Sequence, residues 1–82
     1  MARITKSQFF QNKTVCANAS EILSCMKVCH GKDIDSEVIL NYAWRFDRDW
    51  FSDRARSMQE IFNYCKALNK DFYQYFKIKL RR

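Results

Sequence analysis

Proline is absent from this 82-residue chain and glycine occurs once, at Gly31. Small β folds need tight turns built from Asn-Gly, Asp-Gly or Pro-containing pairs, and none is present. The chain is therefore confined to helices joined by short connections. Histidine also occurs once, at His30, and there is no glycine-rich phosphate loop or Gly-x-Ser-x-Gly elbow. The carboxylates stand near arginines at helix starts, where capping accounts for them. These absences argue against an enzyme, and no motif implies a cofactor. No apolar run approaches the roughly 18 residues of a membrane span, and MARITKSQFFQNK lacks the apolar core of a signal peptide. The expectation is an intracellular, cytoplasmic protein with no membrane partner. Thiols stay reduced in that compartment, so Cys16, Cys25, Cys29 and Cys65 are expected to be free.

What is abundant is apolar and basic. Apolar residues make up 48% and aromatics 16%, which requires a packed core; the length allows one domain, residues 1–82. The net charge of +6 gathers at the ends. Residues 1–32 carry five bases and one acid, and residues 61–82 carry six bases against Asp71. Abundant Lys, Asn, Ile, Phe and Tyr with almost no Pro or Gly is a composition that resembles short accessory proteins of AT-rich bacteriophages and other viruses.

Local signals divide the chain. Ile4-Thr5 with Gln8 has the form of a capping box with a staple residue, predicting a helix over about 6–14. Asn18 with Glu21 repeats the pattern, and Ala19, Ile22, Leu23, Met26 and Cys29 follow at helical spacing up to Gly31. This predicts a helix over about 19–30 ending in a left-handed glycine. Asp33, Asp35 and Glu37 open a third, over about 35–50. Ser52-Asp53 is the expected start of a fourth over about 52–76, with Ala55, Met58, Ile61, Phe62, Cys65, Leu68, Phe72 and Phe76 along its stripe. The expected fold is all-α, a small compact bundle of three to four helices with a basic C-terminal tail.

SCMKVCHGK, residues 24–32, raises the question of a metal or haem site. Zinc needs about four ligands, whereas the chain offers one close cysteine pair and two isolated cysteines. Haem attachment uses Cys-x-x-Cys-His, and here three residues separate Cys25 from Cys29. Cysteines on a helical stripe are ordinary small core residues, and His30 suits a helix C-terminus. No metal is expected.

YAWRFDRDWFSDRAR, residues 42–56, interleaves aromatics with arginines, the set enriched at protein interfaces. On the third helix Val38, Ile39, Tyr42, Ala43, Phe46 and Trp50 share one arc, while Leu40, Trp44 and Phe51 fall on a second behind it. The leading expectation is a non-enzymatic binding protein that docks on another macromolecule, a protein before all, as an inhibitor or regulator. Its expected contact residues are Leu40, Trp44 and Phe51, flanked by Arg45 and Arg48. The alternative is a nucleic-acid-binding protein using the basic surface of Lys66, Lys70, Lys77, Lys79, Arg81 and Arg82. A homodimer through the second arc is compatible with either.

Overall fold

A computed structural model describes residues 4–68, and Lys70, Lys77, Lys79, Arg81 and Arg82 lie outside them, as do Phe72 and Phe76. Within that span the expected all-α bundle is found, made of five helices with no strand among the described residues.

Helix α1 (Lys6–Gln11) starts as its sequence predicts. The Gln8 amide donates to Thr5 Oγ1 at 3.1 Å, and the Thr5 amide donates to Gln8 Oε1 at 3.0 Å. It ends earlier than position 14 because Asn12 leaves the helical region and starts a new helix at once. Asn12 Oδ1 accepts from the Val15 amide at 3.0 Å and so caps α2 (Lys13–His30). The expected cap, Asn18, lies inside that helix, one turn beyond Val15 on the buried face with Ala19, Ile22, Cys25 and Met26. Gly31, at φ 64°, closes α2 in the left-handed region. Its amide donates to Lys27 O at 3.0 Å, and the Lys32 amide reaches back to Met26 O at 3.2 Å, a bond pattern that a left-handed residue permits.

The expected helix over 35–50 is two helices. Helix α3 (Ser36–Phe46) stops at Asp47, whose φ of −138° and ψ of 46° are not helical, and α4 (Arg48–Asp53) begins directly after it. At this joint the Tyr64 hydroxyl donates to the Asp47 carboxylate and ties it to the next helix. Ser52 is inside α4, with its hydroxyl donating to Arg48 O at 2.7 Å, and does not start a helix as expected. Helix α5 runs from 58 to 68, where the described residues end. Its start is capped by Ser57, whose Oγ accepts from the Glu60 amide at 3.3 Å while Glu60 Oε1 accepts from the Ser57 amide at 3.0 Å. Ser57-Met58-Gln59-Glu60 is a capping box written in the sequence.

The core gathers Phe9 from α1, the buried face of α2, Ile39, Tyr42 and Ala43 from α3, Phe51 from α4, and Ile61, Cys65 and Leu68 from α5. Among the described residues one polar side chain joins them. Asn18, 2% exposed, donates from Nδ2 to Phe51 O and Arg54 O, each at 2.9 Å, and accepts the Arg56 amide on Oδ1 at 2.9 Å. The peptide groups of the α4–α5 connection have no helix to satisfy them, so a buried primary amide on α2 does it. Arg56 reinforces the connection from outside: Nε and Nη2 donate to Trp50 O at 3.1 and 2.9 Å, and its guanidinium lies 4.7 Å from the centre of the Trp50 ring.

Candidate functional site

The second arc of α3 is largely covered. Trp44 is half-buried, its ring centred 5.3 Å from that of Phe9 on α1. Its other side carries the Arg48 guanidinium, 3.9 Å from the ring centre, while Arg48 Nε donates to Trp44 O at 2.6 Å. Leu40 is half-buried against the same core. Phe51 is wholly inside, edge-on to the Tyr64 ring at 5.5 Å, which corrects its assignment as a contact residue. The reason is the break at Asp47, which turns α4 so that Phe51 points inward. Arg45 and Arg48 are exposed, Arg45 beside the half-exposed Phe46 ring at 5.5 Å. The structure thus brings Trp44 and Arg48 together and buries Phe51 in the core. Of the basic set, Lys66 is exposed on α5, and the other five members lie outside the described residues.

Among the described residues the greatest apolar exposure lies elsewhere. Val28 on α2 is 83% exposed, and Met58 and Phe62 on α5 are 55% and 42% exposed. These three line one groove of about 150 Å³ between α2 and α5, together with Glu21, Ser24, Cys25 and Cys29. Its geometry follows from helical spacing. Glu21, Ser24, Cys25, Val28 and Cys29 form a row of i,i+3 and i,i+4 neighbours on α2, adjoining the core face. Met58 and Phe62 are one turn apart on α5. The helices are held together below by Ile22, Ile61 and Cys65, the Cys65 thiol lying 3.8 Å from Ile22 O.

Two sulfurs lie along this groove. Cys25 Sγ and Cys29 Sγ are 3.7 Å apart, Cys25 buried and Cys29 exposed. The hydrogen bond with Cys25 is the chief cause that pushes the Cys29 thiol above its ordinary value. Burial, then a hydrogen bond with Cys25, also pushes up the thiol of Cys65. None of the four cysteines is in a disulfide. Among the described residues no group of three or more His, Cys, Asp or Glu side chains is placed to hold a metal ion. Among the same residues no helix is long and apolar enough to cross a membrane.

The α2–α5 groove was legible only in part. Val28 falls off the Ala19–Ile22–Met26 stripe, a signal that it faces away from the core, but Met58 and Phe62 read as part of the α5 stripe. No known family model, curated protein or solved structure matches this chain.

Proposed function

We propose that this chain is a non-enzymatic binding protein that docks on another protein, acting as an inhibitor or regulator by occupying its partner's surface. The observation that supports the reading is the α2–α5 groove, where Val28, Met58 and Phe62 remain exposed around one concavity. Leaving three large apolar side chains in water around one concavity forfeits stabilisation that burial against a partner would supply. The occupant is a partner helix that inserts one large apolar side chain and carries a basic residue beside it, because Glu21 is the groove's one charged lining residue. The same carboxylate repels phosphate, so this surface disfavours nucleic acid.

The test is a stoichiometric pull-down with the tagged full chain, repeated with Val28→Lys. Val28 is so exposed that lysine there leaves the core untouched, and a cation in the last turn of α2 suits the helix dipole. The expected result is a protein partner that survives nuclease treatment and is lost with Val28→Lys. Retention by the variant, or loss on nuclease treatment, overturns the reading.

A further inference from the structure

The spacing of the two groove sulfurs carries its own chemistry. Cβ atoms of i,i+4 residues on a helix are about 5–6 Å apart, whereas a disulfide needs about 3.5–4.5 Å. Direct oxidation of Cys25 with Cys29 would therefore unwind the end of α2. A single atom bridging both sulfurs has no such difficulty. With bonds of about 2.3 Å, as thiolates make to a soft centre, and the angle of about 100° that a lone pair leaves at a pyramidal trivalent centre, two sulfurs sharing one centre lie about 3.5 Å apart. The sulfurs here are 3.7 Å apart, so a small rotation of the exposed Cys29 side chain brings them to that span. Tetrahedral zinc would need further ligands, and among the described residues no group of three His, Cys, Asp or Glu is placed to supply them. A trivalent centre that keeps an organic substituent needs only these two.

We infer that Cys25 and Cys29 form a chelating dithiol site for a small organic trivalent arsenical, with the organic group lying in the α2–α5 groove. The groove, about 150 Å³ and open on one side, has room for one phenyl ring. Val28, Met58 and Phe62 supply its apolar wall, and exposed Cys29 gives entry. The step is a condensation. Two As–S bonds form, the As=O oxygen leaves as water with the two thiol protons, and arsenic stays trivalent. Cys16 is directed at Phe10 O at 3.2 Å, and Cys65, although hydrogen-bonded with Cys25, is 1% exposed and does not line the groove, so the exposed Cys29 is the thiol through which a reagent reaches Cys25. The site does not depend on the docking reading, and its test uses no partner.

The experiment is native intact-mass measurement after phenylarsine oxide treatment and an excess of glutathione, which strips singly bonded arsenic. The expected product is one adduct per chain that survives glutathione and is released by dithiothreitol. Cys29→Ser removes it, and Cys16→Ser keeps it. Because Cys29 is exposed, its serine variant retains the helical circular dichroism of the parent, so loss of the adduct reports the site. Burying the phenyl group at about 1.5–3 kcal/mol makes phenylarsine oxide bind roughly ten- to a hundredfold more tightly than inorganic arsenite. Absence of a glutathione-resistant adduct, or its persistence in Cys29→Ser, overturns the dithiol assignment. Equal affinity for the phenyl compound and arsenite overturns the placement of the organic group.

Discussion

Asn18→Ala tests the central claim about how this fold is held together. Three bonds of 2.9 Å join the Asn18 side chain to the backbone at Phe51, Arg54 and Arg56, spanning sequence separations of 33 to 38 residues. Each such bond contributes about 1 kcal/mol net, and a group left unsatisfied in the interior costs about 1–3 kcal/mol. Phe51 O is the most buried of the three partners, and water reaches Arg54 O and the Arg56 amide more readily. The expected loss is therefore about 3–5 kcal/mol. A domain of this size holds only about 4–12 kcal/mol in total, at roughly 0.05–0.15 kcal/mol per residue. The assay is urea unfolding followed by Trp44 and Trp50 fluorescence, with a fall in midpoint at constant slope. Asn18→Leu, which keeps most of the volume, separates the polar part from the cavity and should still lose about 2–4 kcal/mol. Asn18→Asp gives the sharpest contrast, because an ionised carboxylate has no donor for the two carbonyls. Its folded pKa lies above the unfolded one, so this variant gains stability as pH falls from 7 towards 4. Asn18→Ala within about 1 kcal/mol of the parent, at unchanged slope, would refute the claim that this amide ties α2 to the α4–α5 connection.

Two further outcomes follow from the structure. Trp44→Ala removes a half-buried ring packed on Phe9 and roofed by Arg48, and should cost about 2–4 kcal/mol in thermal or urea unfolding; partner capture lost with stability unchanged would instead make Trp44 a contact residue. Glu60 is held down to about 2 by Arg54 first and then by the Ser57 amide, so the unfolded chain binds more protons than the folded one between about pH 4.5 and 2. Stability should fall as pH drops through that window, and Glu60→Gln should flatten the fall in acid titrations followed by circular dichroism. An unchanged acid limb would remove Glu60 as its source.

The parts of the fold legible in the sequence are those decided within one turn of the chain. Thr5 with Gln8 marked the start of α1, and Gly31 the end of α2, because each feature is satisfied by groups a few residues away. The same grammar was present at Ser57–Glu60, and the stronger apolar pattern around Ser52-Asp53 obscured it. The break at Asp47 had no local sign. Arg45 and Asp49 stand at the spacing of a helical ion pair, and the side-chain partner of Asp47 at the interruption is Tyr64, 17 residues onward. Asn18 misled for a related reason: an asparagine followed by Ala-Ser-Glu fits a cap, and its actual partners lie on a connection more than 30 residues away.

The candidate site follows from the same division between local and distant contacts. An apolar face identified from periodicity is only a demand for cover, and packing decides which faces receive it. On α3 the second arc receives α1, because Phe9 reaches Trp44, and the break before α4 turns Phe51 into the core. On α2 and α5 the buried stripes meet through Ile22, Ile61 and Cys65, leaving Val28, Met58 and Phe62 on the side that this contact does not close. The exposed groove is thus a consequence of the crossing of α2 and α5. A substitution that strengthens that crossing without touching the groove should preserve docking, whereas polar replacement of Val28 should abolish docking and leave stability unchanged.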